Sequence, residues 1–127
     1  MNTAVADRAI TPLSSIREVK PGSFIYARTH ALPPAFCDEV VNRFEANPEH
    51  QHQGRIGQLQ WEDGTVKKTT DLVVSNKDEW KDVDEMFFRS LAAALREFRE
   101  TFPHFKGPFK DMGYQVQRYL PGEYYHW

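Results

Sequence analysis

A chain of 127 residues with 40% hydrophobic and 13% aromatic content is long enough to bury one core and too aromatic to be read as disordered. Its formal charge of −2, with basic residues scattered along the chain, argues against partners such as nucleic acid or an anionic membrane. The single cysteine, Cys37, excludes an intrachain disulfide, and the opening MNTAVADRAI lacks the basic-then-apolar run of a signal peptide, so a cytoplasmic setting is the default expectation.

Residues 1 to about 15 are small and polar, with Pro12 interrupting them, and read as a loose N-terminal arm. Residues 16–127 read as part of one domain. SFIYARTHAL, residues 23–32, lies between Pro21-Gly22 and Pro33-Pro34 and is rich in aromatic and β-branched residues, which predicts a first strand. Pro33-Pro34 opens a helix whose apolar side is expected to be Phe36, Val40, Val41 and Phe44, with Cys37 as a small buried hydrophobe, and Asn47-Pro48 stops it. EHQHQGRIG follows as a polar, solvated connection. LQWEDGTVKKTTDLVVS predicts a hairpin turning at Asp63-Gly64, a strong two-residue turn signal.

The segment DEWKDVDEMFFRSLAAALREFRETF is the clearest helix, with Val83, Phe87, Leu91, Leu95, Phe98 and Phe102 on one stripe and Pro103 just beyond. GYQVQRYL, residues 113–120, alternates as a strand; Pro121-Gly122 turns the chain, and EYYHW starts another extended piece. The order β–α–β–β–α–β–β is an α+β pattern with helices covering one side of a sheet.

Candidate chemistry is sparse outside one stretch. His50 and His52 form an H-x-H that could chelate a metal with a further histidine, but the polar segment around them shows no recognisable ligand spacing. His30 and His104, beside prolines or at element ends, read as surface or capping groups. Asp71 either offers a carboxylate to a cleft or pairs with Lys67 or Lys68, and Trp61 and Trp80 read as large apolar anchors. Within QVQRYLPGEYYHW, alternation sets Gln115, Gln117 and Tyr119 on one face, with Val116 and Arg118 on the other. Two amides and a phenol are poor core material, because each buried polar group needs a partner. They suit either a half-solvated edge strand or a cavity for a small polar ligand.

That stretch resembles the strand and turn leading into the iron-binding motif of Fe(II)/2-oxoglutarate-dependent dioxygenases, in the prolyl-4-hydroxylase-like branch. Their pattern is approximately Q-V-x-x-Y-x-x-G-x-x-aromatic-x-x-H-x-D. Gln115 and Val116 match its opening pair, Tyr119 its tyrosine, Gly122 its glycine and Tyr125 its aromatic position. The pattern's metal-binding histidine falls one position after Trp127; a second register would make His126 the iron ligand but breaks the spacing from Tyr119 and Gly122.

The resemblance implies an N-terminal portion of such a domain, with helices packed on the opening strands of a double-stranded β-helix (jelly roll) left incomplete at the C-terminus. It implies Fe(II) and 2-oxoglutarate as cofactors of the complete domain, and hydroxylation of a substrate whose class these residues do not specify. Tyr119 would donate to a 2-oxoglutarate carboxylate, Gln117 and Gln115 would bond co-substrate or substrate, and Tyr125 would line the pocket or pack beside the iron. Without the metal triad the chain is expected to be inactive alone. The competing reading is a small α+β binding module whose aromatic C-terminal strand docks on a partner.

Overall fold

The computed structural model describes residues 16–126, so the arm expected over residues 1–15 and the terminal Trp127 lie outside the described residues. In chain order the elements are β1 (Ile16–Glu18), β2 (Tyr26–Arg28), α1 (Pro34–Ala46), β3 (Gln51–Gln53), β4 (Lys67–Lys68), β5 (Thr70–Val73), α2 (Lys81–Thr101), β6 (Gln115–Arg118) and β7 (Tyr124–Tyr125). Single 3-10 turns occupy Pro48–His50 and Asp78–Trp80. The fold is mixed α+β, with small antiparallel sheets and two helices. No helix among the described residues is long and apolar enough to cross a membrane. The described residues cluster into two compact units, one running up to Phe36 and resuming over Met86–Lys110, the other comprising Cys37–Glu85 and the chain from Asp111 on.

In the first unit, β1 and β2 form a hairpin with Glu18 opposite Tyr26. Gly22, at φ 79°, supplies its left-handed turn residue. The single long strand expected over residues 23–32 is thus a short one, β2, paired with a strand the sequence pattern did not signal. Phe24 and His30 explain the shortening: their φ values of 58° and 55° break the extended backbone on either side of Tyr26–Arg28. The aromatic stripe of α2 is real. Tyr26 lies edge-on to Phe98 and Phe102, each at 5.4 Å, and Phe87 meets Phe36 at 6.0 Å. Leu91, expected on the same stripe, is instead exposed. The Ile16 amide donates to Glu97 Oε2 at 2.8 Å, tying the hairpin to α2.

The second unit holds the buried core: Val40, Phe44, Leu72, Val74, Trp80 and Val83. Only the Val40–Phe44 edge of α1 turns inward. Val41 and Cys37, four apart on a neighbouring flank, are exposed, which corrects the expectation of a buried cysteine. Last-turn carbonyls of α1 find side-chain donors: Asn47 Nδ2 reaches the Arg43 oxygen at 2.7 Å and Gln51 Nε2 reaches the Phe44 oxygen at 2.6 Å. Trp80 is 1% exposed, and its indole N–H donates to His50 Nδ1 at 3.0 Å.

The central sheet has the order β3-β5-β6, while β4 and β7 form a separate pair. Two expectations fail here. The histidine-rich connection contains strand β3, with His52 opposite Asp71, and is not a solvated loop. The hairpin about Asp63-Gly64 does not form, because neither residue takes the left-handed backbone that a tight two-residue turn needs. Asp63 instead accepts both the Thr65 amide (2.9 Å) and hydroxyl (2.6 Å), bonds that hold its carboxyl below its ordinary value. Trp61, expected as an apolar anchor, is 61% exposed, whereas Trp80 fills that role.

Arg43 lies over the Trp80 ring at 5.5 Å and bonds Glu39 and Asp82. The Arg43 bond holds the Asp82 carboxyl below its ordinary value, so its contribution is present above the unfolded value near 3.8 and is lost as pH falls through the depressed one. Asp82 is 64% exposed, so solvent screening caps this at about 1 kcal/mol. Asp82→Asn should therefore lower the melting midpoint slightly at pH 7, and the difference from the parent should shrink in thermal scans as pH falls below 3.8 and the native carboxyl takes up its proton.

Candidate functional site

The strand running from β4 into β5 alternates with period two. Lys67, Thr69 and Asp71 are 2%, 4% and 1% exposed, while Lys68 is exposed and Thr70 half-buried between them. Three polar side chains therefore share one buried face, and they satisfy one another. Lys67 Nζ donates to Asp71 Oδ2 at 2.9 Å, and the Thr69 hydroxyl donates to Asp71 Oδ1 at 2.7 Å. The sequence alternatives for Asp71 resolve onto Lys67, whose parity matches; Lys68 points the other way.

Register carries this face outward. Asp71 is opposite Gln117, Val73 is opposite Gln115, and Lys67 is opposite Tyr125. Opposed residues project to the same side of a sheet, so the expected Gln115–Gln117 face coincides with the Lys67–Thr69–Asp71 face. Gln115, Gln117, Tyr119 and Tyr125 are all exposed on it. The Tyr119 hydroxyl lies 3.4 Å from Gln117 Oε1, a long contact that leaves the phenol free to turn toward a ligand. Lys67 Nζ sits 5.2 Å from the centre of the Tyr125 ring, within cation–π range. Gln115 lines an open cleft of 300 Å³ together with Val73, Ser75, Asn76, Met112, Gly113 and Tyr114.

The opposite face is committed to packing. Arg118 bonds both carboxylate oxygens of Glu45 and lies 5.5 Å from the Phe44 ring, and Leu72, opposite Val116, is fully buried. The turn into β7 follows from Pro121-Gly122: Gly122 has φ 86°, and the Glu123 amide closes on the Leu120 oxygen at 2.9 Å, as a type II turn requires.

Beyond Lys67, already a candidate partner of Asp71, sequence reasoning missed three members of this face: Thr69, His52 and Gly54. Thr69 was legible in principle from the alternation K-x-T-x-D. His52, across the sheet from Asp71, was assigned to a loop. Its Nδ1 lies 2.8 Å from the Gln53 carbonyl, which fixes a proton there and leaves Nε2 a buried atom without a partner among the described residues. Gly54 is the third. A Cβ there would lie 2.1 Å from Thr69 Oγ1 and 3.0 Å from Lys67 Cε, so only glycine allows this backbone approach. Gly54→Ala should cost about 1–3 kcal/mol by overpacking, read as a lower urea midpoint with unchanged slope.

Among the described residues no group of three or more histidine, cysteine or carboxylate side chains could hold a metal ion. His126, the alternative ligand, stacks on Tyr124 at 4.2 Å and gives its amide to the Val66 oxygen at 2.7 Å. Tyr119 and the Gln115 and Gln117 amides are exposed neutral hydrogen-bonding groups on one face. The cation beside them, Lys67, is already neutralised by Asp71. No family model matches the chain, and no curated protein or solved structure is significantly similar to it.

Proposed function

We propose that this chain carries the co-substrate face of an Fe(II)/2-oxoglutarate-dependent dioxygenase domain, with its helices lying on the opening strands of a double-stranded β-helix. The observation that carries the reading is the gathering of Gln115, Tyr119 and Tyr125, which match the family pattern, on one polar face together with Gln117, which alternation adds to them. The Tyr119 phenol and the two amides bind a carboxylate of the 2-oxo acid by neutral donation. The dicarboxylate's remaining charge and the iron both need groups beyond the described residues. Bound iron would activate oxygen; the role of these side chains is to hold and orient the co-substrate.

Binding of 2-oxoglutarate to the chain is testable without metal by ligand-observed NMR. A weak, saturable association is expected, and Tyr119→Phe should weaken it about tenfold or more, the worth of one hydrogen bond to a charged group. Equal binding by the parent and Tyr119→Phe would refute the assignment of Tyr119. The chain alone should form no succinate from 2-oxoglutarate when iron is added.

A binding module is the second reading. It draws on the exposure of Tyr119, Leu120 and Tyr125 at 45%, 47% and 56%. It predicts no 2-oxoglutarate binding at all.

A further inference from the structure

Thr69 is a corner. Before it, the chain pairs with β7; after it, the chain pairs with β3 and β6. Its own carbonyl takes the Gly54 amide at 3.0 Å, so it belongs to neither the β4–β7 nor the β5–β6 ladder. Yet one buried ion pair spans it: Lys67 on β4 reaches Asp71 on β5 at 2.9 Å, with the Thr69 hydroxyl bonded to the same carboxylate. Gly54 closes over the corner, leaving no room for a side chain. Lys67 in turn lies beneath the Tyr125 ring, and Asp71 lies opposite Gln117.

We propose that Lys67 and Asp71 are positioning residues: the pair locks the β4–β7 edge to the central sheet and thereby sets Tyr125 in place over Lys67, on the face that carries Gln117 and Tyr119. This rests on the co-substrate reading for what Tyr125 is positioned to do, but not for the lock itself. A buried charge pair is a poor way to gain stability, because apolar residues of similar volume often serve as well. It is a good way to fix geometry, since the ammonium and carboxylate tolerate few arrangements once dry.

The test uses the full chain and the double variant Lys67→Met/Asp71→Leu, which removes both charges together and strands neither. Amide exchange should rise about tenfold or more across the β4–β7 bonds, including the His126 amide, while the β5–β6 bonds keep their protection. In a mutant cycle, adding Tyr125→Leu to the double variant should weaken 2-oxoglutarate binding no further than Tyr125→Leu alone. Parental exchange at β4–β7, or additive losses in binding, would overturn the proposal.

Should the double variant fail to fold, Tyr125→Leu decides, because Tyr125 is 56% exposed and its replacement should leave the fold intact. The Lys67 ε-methylene protons should sit upfield under the ring in the parent and return downfield in Tyr125→Leu. An unchanged shift would overturn the proposal. If the parent binds no 2-oxoglutarate, the co-substrate reading falls, and the lock is judged on exchange and ring-current shift alone.

Discussion

Asp71→Asn is expected to lower stability by about 3–5 kcal/mol, because it strands the Lys67 ammonium in a site only 2% exposed. The native carboxylate takes two bonds, from Lys67 and from Thr69. An amide keeps the shape but supplies one acceptor oxygen and no charge, so one of those donors loses its partner. The ammonium must then open the Gly54 corner to water or surrender its proton, and both routes cost free energy. Urea unfolding followed by tryptophan fluorescence measures the loss. Removing both charges in Lys67→Met/Asp71→Leu should be milder, since it leaves only the buried Thr69 hydroxyl without its acceptor, at about 1–2 kcal/mol. A similar cost for the single and double variants would show that the loss comes from packing and not from the stranded charge.

Trp80→Ala should cost about 3–5 kcal/mol, as expected for a large aromatic that is 1% exposed. The ring does three things at once. It fills the core with Phe44, Leu72 and Val83, it gives its N–H to His50 Nδ1, and it supports the Arg43 guanidinium 5.5 Å from its centre. Trp80→Phe separates these roles. It keeps most of the volume and loses the indole donor, so it should cost about 1–2 kcal/mol, the order of one neutral hydrogen bond plus a small void. Thermal unfolding by far-ultraviolet circular dichroism reads both variants without depending on the fluorophore removed. If Trp80→Ala melted within a degree or two of the parent, the core described for this unit would be wrong.

The long periodic signals were the legible ones. α2 was readable because its stripe runs over many turns, and Phe98 and Phe102 do meet Tyr26. α1 was readable from its prolines and from the Asn47-Pro48 stop, but which flank faces inward was not: Val40 and Val41 are equally apolar, and only packing separates them. Three-residue strands carry too little pattern to stand out. β3, Gln-His-Gln, is polar on both faces and exists because β5 offers it an edge. Asp63-Gly64 misled because the aspartate carboxylate found a local partner in Thr65, and the expected first strand of the hairpin became the exposed Leu59–Glu62 stretch. Of the candidate site, the Gln115–Gln117–Tyr119 face could be read from alternation alone. Its junction with Lys67, Thr69 and Asp71 depends on a register between distant strands, which no local window contains.

The most direct measurement is a titration of the isotope-labelled chain with 2-oxoglutarate, followed through the side-chain amide resonances of its glutamines. Four of these report on opposite sides of one sheet: Gln115 and Gln117 on the polar face, Gln51 and Gln53 on the face carrying Leu72 and Arg118. The account predicts saturable shifts at Gln115 and Gln117, accompanied by the Tyr119 and Tyr125 rings, with Gln51 and Gln53 unmoved. Shifts confined to Gln51 and Gln53, or none at any ligand concentration, would contradict it.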